Sequence, residues 1–401
     1  MRVLEAIRKR RTVRVPFDPD PVAPETWGTF WEISQRSPFG DPPCWRLAHI
    51  EDSETKFKLA KIVKEEFGDR FQKNSEGFRE VFSQYPKWLR FAEAKDGIVM
   101  NRYPRFAKHL FGLVLGHALG PLFGKIGIMN PELKSYCSNL VSAPLVVGVF
   151  LDTRVRFGPS GIPSIWNVGA MLQNMRLAST ALGLCYQDLG WITATDGGVE
   201  SARKLLGLPD YYLAVNFFRV GYARNPGAAT KKSDFRRDLK DIVHLGRFGN
   251  GGLAPSPSDE ADLDVLAAIR ADKRASRPAR PVAIEEVAYV LEAARWAPTG
   301  FNVQPFEFVY FGQDASNGTI VLLEDKERGD PDPGPCEDLA AGGVLQNIRL
   351  AAQAAGLEIE IRKASAAEEE SLKQSLQVPS KYAILCTVTL REEQAIGPHP
   401  A

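Results

Sequence analysis

The sixteen residues "GAMLQNMRLASTALGL" at 169–184 return as "GGVLQNIRLAAQAAGL" at 342–357. In the first copy Ala170, Met171, Leu172, Met175, Leu177, Ala178, Ala181 and Leu182 leave almost no polar face. A helix that is apolar nearly all round is covered on more than one side. Each copy ends in glycine, Gly183 and Gly356, the residue favoured just past a helix C-terminus. If two related units pack through these helices, the pair reproduces a two-fold dimer interface inside one chain.

Other paired landmarks follow in the same order, as a duplication requires. "LEAIRKRRTVRVPFDPDPV" (4–22) pairs with "LAAIRADKRASRPARPV" (266–282). "ISQRSPFGDPPCWRLAHI" (33–50) pairs with "LEAARWAPTGFNVQPFEFVYF" (291–311), and "LLGLPDYYLAVNFFRVGY" (205–222) with "SLQVPSKYAILCTVTL" (375–390). Pro38 and Pro298 lie 260 positions apart, Gln173 and Gln346 only 173, so the first unit carries 87 extra residues between these landmarks. The expected organisation is therefore a first unit over 1–248 with an insertion at about 52–140. A linker at 249–262, rich in Gly, Pro and Ser, leads to a shorter second unit at 263–401. "PLVVGVFLD" (144–152), "YLAVNFFRVGY" (212–222), "FEFVYFG" (306–312) and "YAILCTVTL" (382–390) read as strands with helices between them. The fold class is α+β, a sheet layered with helices in each unit.

Composition narrows the function. The chain is 44% hydrophobic and 25% charged, with net charge +1. That gives no general attraction to nucleic acid or anionic lipid. Five scattered cysteines without a C-x-x-C pair fit reduced thiols in a cytoplasmic protein better than a disulfide framework or zinc cluster. No signal peptide is read at the N-terminus, where Met1–Thr12 is basic and no apolar run follows. The apolar stretch "FAKHLFGLVLGHALGPLFGKIGIM" (106–129) holds Lys108, His109, His117, Pro121 and Lys125. A spanning helix would have to bury those charges in hydrocarbon. It is expected to cap a pocket or touch a membrane surface rather than cross one. His109 and His117 do not have metal-ligand spacing, and no Ser/His/Asp order or Walker loop stands out.

Two segments carry chemistry. "RKRRTVR" (8–14) alternates basic side chains with a hydroxyl; by itself it also reads as a solvated helix end. "APTGFNVQPFEF" (297–308) places Pro298, Thr299, Gly300 and Asn302 in a turn that presents backbone N–H groups and one amide before a strand. Together with the buried helix ending "STALGL" (179–184), the Gly-Tyr strand and the basic tail "KKSDFRRDLKDIVH" (231–244), they resemble the nitroreductase family of flavin-dependent oxidoreductases, whose pattern at that helix end is A-x-x-L-G-L. The resemblance covers both units and spares the insertion and the linker.

It implies two tandem nitroreductase-like α/β sandwich domains forming an intrachain pseudo-dimer, with FMN at the interface. One site would take Arg10, Thr12 and Arg14 from the first unit, then Gly183, Leu184 and the tail residues Lys232, Arg236 and Arg237. The second unit would give it Pro298, Thr299, Gly300 and Asn302. Arginine supplies the charge-assisted donors that a phosphate wants. A cation such as Arg14 suits the negative charge of reduced flavin near N1 and O2. The symmetry-related site would take "KRASR" (273–277) and "SPFGDPPCW" (37–45). There Pro42 and Pro43 offer no N–H, Asp41 brings a negative charge, and no basic tail follows. It is expected to be dead, leaving one FMN per chain.

The implied activity is ping-pong hydride transfer from NAD(P)H to a nitroaromatic or quinone-like small molecule. No catalytic protein residue is expected, because the flavin carries the chemistry. Two alternatives stay open: a flavin-binding or sequestering protein without turnover, and a biosynthetic flavin dehydrogenase or oxidase with its own substrate. The insertion, with Phe82, Tyr85, Trp88, Leu89 and Phe91 on a helix-forming stretch at 79–96, is expected over the flavin's exposed face. Long inserts in compact domains are usually functional. Sequence leaves open the choice of NADH or NADPH and any further oligomerisation.

Overall fold

The computed structural model describes residues 1–36, 38–39, 41–72, 130–225, 236–254, 263–271, 282–312, 317–328 and 335–392. In the first half, helices α1 (Val3–Lys9) and α2 (Pro24–Ser34) precede strand β1 (Trp45–Ile50). Helices α3 (Ser53–Gln72) and α4 (Asn130–Val141) follow, then β2 (Leu145–Asp152), α5 (Ser164–Ala181), β3 (Cys185–Asp188), α6 (Asp196–Leu205) and β4 (Tyr212–Gly221). A short helix α7 (Leu239–Ile242) leads into β5 (Val243–Leu245). The second half holds α8 (Val265–Arg270), α9 (Ile284–Arg295), β6 (Phe306–Gly312), β7 (Asn317–Asp325), α10 (Pro335–Ala355), β8 (Leu357–Arg362), α11 (Ala366–Leu376) and β9 (Tyr382–Glu392).

The sheets repeat one plan. The first has the order β1-β2-β4-β3, and the second contains β6-β7-β9-β8, all antiparallel. A bulge interrupts β2–β4 between Val149 and Phe150, and its counterpart interrupts β7–β9 between Leu322 and Leu323, 173 residues later. β5, from the tail of the first half, adds to the edge of the second sheet in parallel with β6. The first half's chain thus ends on the second half's sheet.

The halves meet through α5 and α10, which lie side by side in parallel and are buried along most of their length. Several contacts are made twice, with the partners exchanged. A Cβ on Gly169 would sit 2.2 Å from the carbonyl oxygen of Leu339, and one on Gly342 would sit 2.1 Å from that of Trp166. Gln173 Nε2 donates to Asn347 Oδ1 at 2.8 Å, and Gln346 Nε2 to Asn174 Oδ1 at 2.6 Å. Val3 N–H donates to Leu263 O and Val265 N–H to Met1 O. Arg8 pairs with Glu292 at 3.2 Å, and Arg270 with Glu32 at 2.8 Å. This is the pattern of an isologous interface.

The two glycines let backbones approach where no side chain fits. Gly169→Ala and Gly342→Ala should each lower unfolding stability by about 1–3 kcal/mol, the usual range for overpacking. Denaturant unfolding measures it, and a wild-type midpoint in both variants would mean that the helices separate freely.

A second core lies on the outer face of the first sheet. There Leu59 and Val63 of α3, Leu140 of α4, and Leu189, Ile192 and Ala202 pack on Val146, Phe150 and Phe217. The chain between β1 and β2 spans 51–144, whereas β6 and β7 are joined by 313–316. The described ends of the insertion are therefore built into the sheet's outer layer. The aromatic stretch 79–96 and the apolar stretch 106–129 lie outside the described residues. Among the described residues no helix is long and apolar enough to cross a membrane, and no group of His, Cys, Asp and Glu could hold a metal ion.

Candidate functional site

The N-terminal strap leaves α1 at Arg10 and runs over the edge of the first sheet. Val13 N–H donates to Tyr186 O at 2.9 Å, and Asp18 N–H to Tyr222 O at 2.7 Å. Val13 and Phe17 are buried against the sheet, while Thr12 and Arg14, on either side of Val13, are half-buried.

Arg10 is only 8% exposed, and its Nε–H is buried without a hydrogen-bond partner. Burial, then the neighbouring Arg176 and Arg236, pull its guanidinium down to about 9, partly offset by Asp188 and Tyr186. Two of these neighbours escape a motif-based reading. Arg176, inside the repeated apolar helix, bonds Asp188 through Nη2 at 2.9 Å and Nε at 3.3 Å. Asp188 also accepts from Asn216 Nδ2 at 2.9 Å and Tyr186 Oη at 3.2 Å. Burial pushes the Asp188 carboxyl up, but Arg176, Asn216 and Tyr186 outweigh it and hold it below the usual range. A charged residue in an otherwise apolar helix was the sequence signal for Arg176. Asp188 gave none.

The tail and the second half complete the surroundings. Arg236 stacks over Trp296, 4.6 Å from the ring centroid. Trp296 immediately precedes the Ala297–Gln304 turn and donates its indole N–H to Glu292 at 2.9 Å. In the turn, Asn302 N–H donates to Thr299 O and Val303 N–H to Gly300 O, while Gln304 N–H donates to Thr299 Oγ1 at 3.1 Å. Asn302 and Gln304 take positive φ, 59° and 50°. Asparagine tolerates that backbone better than most residues. Gly300 is exposed and Pro298 half-buried. A small, open recess beside the turn is lined by Arg237, Arg295, Thr299, Gln304, Phe306 and Val344.

Three expected residues have other work. Arg237 pairs with the buried Glu307 at 2.5 Å, donates through Nη1 to Gln304 O and offers its backbone N–H to Gln304 Oε1 at 2.9 Å. It fastens the tail to the second sheet. Gly183, at φ 73°, and Leu184 close the end of α5 with their amides, donating to Thr180 O and Ser179 O. Leu184 is buried in the core. Neither amide is left to meet a ligand. Lys232 lies outside the described residues.

The position related by the internal symmetry is built differently. Trp45 pairs with Leu151 as Phe306 pairs with Glu324, so Asp41 occupies the place of Asn302. Asp41 is 4% exposed and accepts from Ser160 N–H and Asn167 Nδ2, both at 2.9 Å, and from the Ser160 hydroxyl. The 157–163 turn is pinned on it so closely that a Cβ on Gly158 would fall 2.1 Å from Asp41 Oδ2. The "KRASR" segment lies outside the described residues.

A nitroreductase family model matches residues 270–317, the segment that contains α9, the Ala297–Gln304 turn and β6. No curated protein matches the sequence. Among solved structures, the chain is similar to the FMN- and NADPH-dependent nitroreductase NfnB of a Sphigopyxis species. That likeness has 20% identity and a TM-score of 0.38, over 60% of this chain and 97% of that one. It is also similar to NfnB of Mycobacterium smegmatis in complex with NADPH, with 18% identity and a TM-score of 0.38, over 59% and 94%. A Bacteroides fragilis nitroreductase with bound FMN has 17% identity and a TM-score of 0.33, over 58% and 92%.

Proposed function

We propose that the chain is an FMN-dependent oxidoreductase in which two tandem nitroreductase-like units meet as an intrachain pseudo-dimer and share one FMN. The observation that carries this reading is Arg10. It is a buried guanidinium with an Nε–H lacking a partner, set beside Arg176 and Arg236 with Asp188 as the nearby carboxylate. A buried cation so placed calls for an anion, and a phosphate monoester brings close to two negative charges and several acceptor oxygens. The family match across the second half's turn supports the same reading.

Arg10, Thr12 and Arg236 would hold the phosphate, and the Arg14 cation would offset the negative charge of the reduced ring. Pro298, Thr299, Gly300 and Asn302 would complete the site from the other half. When bound, FMN supplies hydride acceptance from NAD(P)H and delivery to a small-molecule acceptor of the nitroaromatic or quinone class. The chain's own part is to bind, orient and exclude water. The partner site stays without flavin because Asp41 presents a carboxylate already engaged by Ser160 and Asn167.

Purified protein should therefore carry about one FMN per chain, since one site keeps its cationic donors. Absorbance of released flavin against protein concentration gives the ratio. A ratio near two would overturn the asymmetry, and protein that takes up no flavin on reconstitution would overturn the function. Anaerobic addition of NADH or NADPH should bleach the flavin band; a band that neither nucleotide bleaches rules out NAD(P)H as the reductant.

A further inference from the structure

Arg219 on β4 is fully buried, and its hydrogen bonds run to neutral oxygens. Nη2 donates to Val15 O at 2.8 Å and to Val13 O at 3.3 Å. Nη1 donates to Asn139 O at 3.3 Å and Nε to Gln187 Oε1 at 2.7 Å. The guanidinium carbon sits over the Phe17 ring, 3.7 Å from its centroid. Burial without a carboxylate is unfavourable for a cation, and it draws this one down to about 9.

The acceptors are informative. Val13 and Val15 flank Arg14, so Arg219 grips the strap on both sides of it. Asn139 belongs to α4, where the insertion returns to the sheet, and its side-chain Nδ2 reaches back to Arg14 O at 3.5 Å. Tyr136, on the same helix, stacks on Trp191 with centroids 4.7 Å apart, just beyond Asp188. In the second half the matching strand position is Thr389, which pairs with Glu360 as Arg219 pairs with Gln187. The arginine is thus found in the half whose strap carries the Arg-x-Thr-x-Arg pattern.

We propose that Arg219 is a positioning residue for the cofactor site: it fixes the strap segment that carries Arg14, and locks it to the insertion's returning helix α4. The proposal rests on the flavin reading of the site. Arg219 does not touch the ligand and acts through Arg14. A planar five-donor fork can serve four acceptors in three directions, which a lysine cannot.

The test is a double-mutant cycle on FMN affinity, read by quenching of flavin fluorescence, because coupled residues depart from additivity. Arg219→Met should weaken FMN by about tenfold, the effect of Arg14 losing its charge-assisted bond when the strap shifts. Arg14→Met should do the same. The double variant should be within about twofold of Arg14→Met alone, because a misplaced strap matters little once its cation is gone. A double variant as weak as the product of the two singles would reduce Arg219 to general stability and overturn the proposal. Arg219→Lys keeps the buried charge and guards against a methionine variant that does not fold. It should bind FMN measurably more weakly than wild type, and wild-type affinity in it would overturn the proposal too. Wild-type protein that binds no FMN overturns the functional reading along with this one, whereas normal binding in a folded Arg219→Met overturns this one alone.

Discussion

Arg10→Met is expected to release FMN and, at the same time, to make the flavin-free chain more stable. The two effects have one origin. In the absence of an anion the Arg10 guanidinium is buried beside Arg176 and Arg236, with Asp188 already paired to Arg176. The charged form is disfavoured in the folded state, which is what a lowered basic pKa means. Methionine keeps the volume and drops the charge, and replacing a poorly compensated buried ion by an apolar side chain is often stabilising by about 1–4 kcal/mol. The same change removes charge-assisted donors to the phosphate. At about 1.5–3 kcal/mol for bonds to charged groups, FMN affinity should fall roughly 10- to 100-fold. Thermal unfolding of flavin-free protein and an FMN titration together decide the matter. Unchanged FMN affinity would remove Arg10 from the site, and a lower melting temperature would show that its charge is compensated within the protein. Asn302→Ala, on the other half, should weaken the same flavin by about 1–3 kcal/mol. Arg274→Ala and Pro42→Ala should leave it unaltered. Loss of FMN from Arg274→Ala with retention in Arg10→Ala would reverse the assignment of the two sites.

What the sequence could reveal was set by how local each signal is. The paired helices were legible because burial on several sides leaves an all-round apolar pattern. The exchanged contacts then follow from repetition itself: a motif written twice at a fixed offset must meet its copy in both directions. That is why Gln173–Asn347 and Gln346–Asn174 arise from one L-Q-N. Asp41 was legible as a charge in the wrong place, but its clasp was not, because Ser160 lies 119 residues away. The basic tail misled for the same reason. Arg236 and Arg237 look alike in sequence, and only the fold shows one stacked on Trp296 and the other turned into Glu307. Arg219 left no motif either. A single arginine within "AVNFFRVGY" carries no signal by itself, and its role depends on the strap's carbonyls, 204 and 206 residues away in sequence, folding over it.

Two cuts through the insertion should differ sharply in outcome. Replacing residues 73–129 with a flexible Gly/Ser linker should leave a soluble protein that still binds FMN. The second half closes its equivalent hairpin with 313–316 alone, so length in this connection is not needed to pair the strands. Extending the cut to 53–141 should instead cost solubility and flavin together. That longer cut removes Leu59, Val63 and Leu140 from the core over Phe150 and Phe217. Truncating one such buried residue typically costs about 2–5 kcal/mol, and here several go at once and uncover a sheet face. It also removes Asn139, which accepts from Arg219 and lies against Arg14. Soluble yield, unfolding midpoint and FMN content of the two variants separate the cases. A long-cut protein as stable and as yellow as the short-cut one would mean that α3 and α4 are an ornament on a self-sufficient sheet. A short-cut protein without flavin would put cofactor contacts in 73–129 and move part of the site into the insertion.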